Sequence, residues 1–110
     1  MLDVRLYLAQ RISAMVMAPL VFIHLGVMIY AIQDGLSAEE ILSRTQGSVF
    51  WTLFYGLFVA AASLHAAIGL RVIAHEVIKL KGVALSILTW GVFGLFFYMG
   101  TRAVTAVTMV

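Results

Sequence analysis

A chain of 110 residues, 64% of them hydrophobic and only 11% charged, cannot hide its apolar side chains inside a soluble domain, because too much of a small domain lies near its surface. The bilayer is its natural solvent. The absence of cysteine excludes disulfides, thiolate metal sites and cysteine nucleophiles, and a net charge of +2 carries no electrostatic signature of nucleic-acid binding.

Residues 1–11, MLDVRLYLAQR, mix charge with apolar side chains and read as an interfacial lead-in to a helix. Residues 12–32 contain no Asp, Glu, Lys or Arg. As a helix they span roughly 30 Å, the thickness of the hydrocarbon core. This run is too long for a cleavable signal peptide and lacks a small-residue cleavage site, so it is expected to stay in the membrane. Pro19 removes one backbone donor inside it and predicts a kink, which membrane helices tolerate.

Residues 33–48 form a polar break. Ser37-Ala38-Glu39-Glu40 matches a capping box and predicts a short surface helix over 38–44. The second span covers about 49–74, with Trp51 and Tyr55 as interfacial anchors. Lys79, Lys81 and Gly82 end it. The third covers about 83–101, where Gly91, Gly94 and Gly100 would let another helix pack closely. Arg102 and a weakly apolar tail follow. The fold class is therefore all-α and integral to the membrane. A single domain, 1–110, holds three transmembrane helices and a short surface helix between the first and second.

Three spans place the N-terminus and the second loop on one side, with Arg5, Arg11, Arg71, Lys79 and Lys81. Arg44 and Arg102 lie on the other, with Asp34, Glu39 and Glu40. The excess of basic residues puts the N-terminus in the cytoplasm.

The stretch Leu64 to Glu76, LHAAIGLRVIAHE, concentrates the chemistry. On a helical wheel His65, Gly69, Val72 and Glu76 fall within roughly 40° of one another, with Ala61 and Ala62 flanking the stripe. A flat, bulky group fits a face made of such small residues, and the imidazole is available to bind its metal. Buried ionisable groups in membrane spans are costly and usually functional. The plainer alternative is a histidine hydrogen-bonded to a neighbouring helix. His24 lies in the middle of the first span as a second ligand candidate, a proton carrier or a packed polar residue. Counted from the cytoplasmic ends, roughly 20 Å for His24 and 15 Å for His65, the two imidazoles are expected at similar depths. Arg11 and Arg71, near the cytoplasmic ends of their spans, either snorkel to headgroups or pair with a buried anion. His75 and Glu76 are expected at the interface, solvated or relaying protons.

The pattern His65-x-x-x-Gly69, with the acid Glu76 eleven residues after the histidine, resembles the small membrane-anchor (cytochrome b) subunits of the succinate dehydrogenase/fumarate reductase, or succinate:quinone oxidoreductase, family. Gln10-Arg11-Ile12-Ser13-Ala14, followed by Pro19-Leu20, resembles the start of the family's D-type anchor. The three-span layout extends the resemblance over nearly the whole chain.

The compact N-terminus without a presequence is expected of a bacterial inner-membrane protein, and the resemblance implies that it binds haem b and a quinone (ubiquinone or menaquinone). His65 would be the axial iron ligand, with the opposite ligand from a second membrane-anchor subunit. Arg11 would lie near the haem propionates and the quinone pocket, with Ser13 nearby, and Arg71 joins them as a candidate for the same anions. A flavoprotein and an iron–sulfur subunit would complete the complex and pass electrons from succinate to quinone, or the reverse. Two departures matter. Glu76-Val77 stands where the D-type anchor has Asp-Tyr, so that quinone contact is missing or comes from elsewhere. Arg71 is more typical of the C-type anchor, although the C-type Arg-Pro-x-Ser-Pro-His segment is absent. Two other classes compete. A haem-free structural anchor has no need of a histidine framed by alanines and glycine. A small proton-coupled transporter uses a carboxylate deep in its first span, and 12–32 contains none.

Overall fold

A computed structural model describes residues 3–109; the first two residues of the expected lead-in lie outside it. Asp3 opens the first helix, α1 (Val4–Asp34), by accepting the backbone N–H of Leu6 at 2.9 Å, which satisfies one of the donors that a helix start leaves free. The lead-in is thus already helix. The first span is the middle of a 31-residue element about 46 Å long, and that element runs continuously through Pro19.

Gly35, at φ 144°, turns the chain out of α1. The second helix, α2 (Ala38–Thr45), starts with the predicted capping box: the Glu40 N–H donates to Ser37 Oγ at 3.1 Å and the Ser37 N–H reaches Glu40 Oε1 at 3.4 Å. Arg44 ties α2 back to α1, donating to Asp34 at 2.6 Å and to the Gly35 carbonyl at 2.7 Å. Ser48 then caps the third helix, α3 (Val49–Ile73), through the Trp51 N–H.

The second span departs from its expected end. After Ile73 the helix widens into a π-helical turn, Ala74–Ile78, closed by Lys79 at φ 65°. A π turn holds more residues per revolution than an α turn. The wheel that placed Glu76 on the His65 stripe therefore fails at its last member. His65, Gly69 and Val72 remain partly covered, while Glu76 is exposed. His75 folds back within the turn, its Nδ1 donating to the Leu80 carbonyl at 3.0 Å.

The fourth helix, α4 (Gly82–Thr108), absorbs both the third span and the expected tail. Its C-terminal end is pinned to the α2–α3 junction. Thr45 Oγ1 donates to the Val107 carbonyl at 2.6 Å, and the Gly47 N–H donates to the Thr108 carbonyl at 2.7 Å. These bonds meet carbonyls that the end of α4 would otherwise leave open.

α3 is the central element and packs against both α1 and α4. Its Phe54, Ala61, Ala67 and Ile68 are buried, whereas α1 buries only Ser13 and Leu20. Large apolar side chains such as Phe22 and Trp90 point outward, as expected of surfaces solvated by lipid or by another membrane subunit. Among the described residues three helices are long and apolar enough to cross a membrane, and with the short α2 between the first two they match the expected architecture. The glycines of α4 divide. A Cβ on Gly100 would meet Val59 Cγ1 at 2.5 Å, so this glycine permits the α3–α4 approach, while Gly91 and Gly94 face open space.

Candidate functional site

His65 lies on α3 opposite Ser13 of α1, with Ser13 Oγ 3.2 Å from His65 Nδ1. Ser13 is 4% exposed, and its hydroxyl also donates to the Gln10 carbonyl one turn earlier at 2.9 Å. The contact fixes the register of α1 on α3. It also shows that two of the sequence-predicted residues, His65 and Ser13, come together.

His65 lines an apolar cavity of about 430 Å³. Ala62, Ser63 and Ala66 form its α3 wall, Met17 comes from α1, and Phe96 and Met99 come from α4. The alanines at 62 and 66 make the space beside the imidazole, and the cavity opens at the protein surface. Gly69 acts differently from the sequence expectation. The Gln10 amide lies across it, its Nε2 3.5 Å from where a Cβ would stand. Gly69 therefore meets the Gln10 side chain at ordinary contact distance and does not line the cavity beside His65. Gln10 Oε1 is buried without a hydrogen-bond partner. An unpaired buried amide oxygen is uncommon in folded proteins, and Gln10 was not among the residues singled out as a site.

The arginines sit apart from this pair. Arg11 is on the exposed side of α1, its guanidinium 5.8 Å from the Tyr7 ring and Nη1 3.5 Å from the Tyr7 hydroxyl. Arg71 reaches toward α4, donating to Thr89 Oγ1 at 3.1 Å, and its Nε is buried without a partner. It faces a separate cavity of about 590 Å³ with Gly82, Ser86 and Trp90.

His24 does not share the depth of His65. Its ring packs edge-on against Phe58 and Tyr55, with centroids 5.3 and 5.9 Å away. His65 is level with Ser13, eleven residues or roughly 16 Å away along α1. The helices end at different heights, so equal distances from their ends do not mean equal depths; the Ser13–His65 contact sets the register. The two imidazoles do not flank one metal within this chain. His24 Nδ1 is buried and unpaired, and the ring lines a third cavity of about 420 Å³ with Thr45, Tyr55 and Phe58.

Among the described residues no three His, Asp or Glu side chains form a metal cluster. His65 is a lone imidazole beside an apolar space, unlike a metal cage built by protein alone. Small residues on one wall and an open side make the site compatible with haem.

These features define a multi-pass membrane protein with a histidine-bearing central helix. Residues 1–101 match the family described as Succinate dehydrogenase/Fumarate reductase transmembrane subunit, and the chain belongs to that family. It is a membrane anchor subunit of a succinate dehydrogenase or fumarate reductase. Neither individual curated proteins nor solved structures gave a match.

Proposed function

We propose that the chain is the haem b- and quinone-binding anchor of its complex, of the D type, with its N-terminus on the cytoplasmic side of a bacterial inner membrane. The observation that carries the proposal is His65, a half-covered imidazole lining an apolar cavity that opens at the protein surface. A second anchor subunit would close that side and provide the opposite ligand. Haem b, when bound, supplies a one-electron carrier within the membrane. His65 would hold it, and Ala62 and Ala66 would leave room for its face.

Arg11 would face the propionates and the quinone pocket. Tyr7 stands beside it and offers a phenol near the same membrane surface where Val77 replaces the D-type tyrosine. Arg71 is the second anion-pairing candidate, since its Nε lacks a partner. His24 is assigned to packing, because its ring lies edge-on against Tyr55 and Phe58 of α3.

Purification of the intact complex through a tag on this chain tests the proposal. It should bring down a flavoprotein, an iron–sulfur protein and a second small membrane protein, contain extractable haem b, and reduce quinone with succinate or oxidise quinol with fumarate. Recovery of the soluble subunits without haem would favour the haem-free anchor instead.

A further inference from the structure

We infer that Ser13 is a positioning residue that fixes the ring tautomer of His65, keeping the proton on Nδ1 and leaving Nε2 with a free lone pair for a metal. The metal-binding half of this inference rests on the haem proposal above; the tautomer half rests on geometry alone.

The geometry is a matter of counting protons. A serine hydroxyl has one proton to donate, and a carbonyl oxygen can only accept. Ser13 Oγ lies 2.9 Å from the Gln10 carbonyl and 3.2 Å from His65 Nδ1. Both contacts are hydrogen bonds only if the hydroxyl donates to the carbonyl and accepts from an Nδ1–H. In the other tautomer, Nδ1 and the carbonyl would compete for the one proton. Whichever took it, the site would hold one hydrogen bond fewer in a place where Ser13 is only 4% exposed, where a lost bond is not made up by water. The bond from Ser13 to the carbonyl one turn back is a local helical contact. It holds the hydroxyl in place independently of the histidine, so Ser13 acts as a fixed acceptor.

The consequence is a ligand prepared before any metal arrives. Histidines that bind metals usually donate their second ring N–H to an acceptor, which sets the ring's orientation and makes the ligating nitrogen more basic. A more basic imidazole favours ferric over ferrous iron. Removing the acceptor should therefore raise the midpoint potential of the haem.

The test compares wild type, Ser13→Ala and Ser13→Thr. Histidine ¹⁵N NMR of the full chain in lipid nanodiscs, before haem is added, reads the His65 tautomer directly. The midpoint potential is then measured in the assembled complex. The wild type should show the Nδ1–H form, Ser13→Ala should lose that preference and shift the potential upward, and Ser13→Thr, which keeps the hydroxyl, should restore both. A wild-type His65 protonated on Nε2, or an alanine variant with unchanged tautomer and potential, would overturn the inference. A wild type with the Nδ1–H form that takes up no haem would overturn the haem proposal alone.

Discussion

At the scale of single residues, the position of His65 was legible in the sequence because a histidine in the middle of an apolar span is costly and uncommon. Its partner was harder to read. A hydroxyl bonded across two helices depends on their register, and no periodicity within one helix encodes that. For the same reason Gln10, whose amide lies beside Gly69, stood in a recognised motif without a role. Arg11 carries a prediction at this scale. If it contacts quinone, Arg11→Ala should raise the quinone KM about tenfold, the effect of losing one charge-assisted hydrogen bond; an unchanged KM would assign it to lipid headgroups. Glu40 carries another. Hydrogen bonds from the Ser37 hydroxyl and then from the Ser37 backbone hold its carboxyl below the usual glutamate value. A depressed folded pKa stabilises the fold above the unfolded value and loses that contribution as pH falls through the folded one. NMR titration should show Glu40 protonating below the usual glutamate range, and Ser37→Ala should raise it toward that range.

At the scale of elements, apolar runs revealed the number and order of the helices, and the Ser37–Glu40 box revealed α2 almost to the residue. The helix ends were not legible. Hydropathy reports where lipid would be, whereas α1 and α4 continue beyond those limits through caps and tertiary bonds at Asp3, Thr45 and Gly47. The π turn at Ala74–Ile78 had no sequence signal and altered the wheel on which Glu76 had been placed. The glycines of α4 give a paired prediction. Gly100→Leu should destabilise the chain by about 1–3 kcal/mol through overpacking against Val59. Gly91→Leu faces open space and should stabilise α4 by up to roughly 1 kcal/mol through helix propensity. Thermal unfolding in detergent, followed by circular dichroism, distinguishes the two directions.

At the scale of the whole molecule, α3 is the pillar and α1 and α4 flank it, leaving most of their large apolar side chains outward. This is the shape of a subunit whose remaining surface belongs to lipid and to other membrane chains. The native chain has no cysteine, so single-cysteine variants report orientation cleanly. With the N-terminus in the cytoplasm, Ser43→Cys should react with a membrane-impermeant maleimide in intact cells with a permeable outer layer, and Lys81→Cys should react only after lysis. The reverse pattern would invert the topology.

The central claim is that His65 ligates haem b. The most direct measurement is the reduced-minus-oxidised optical spectrum of the purified complex, wild type beside His65→Ala, with complex assembly verified for both. A b-type signal in the wild type that is lost or strongly shifted in the variant is the predicted result. No b-type signal in the wild type, or the same signal in both, would contradict it.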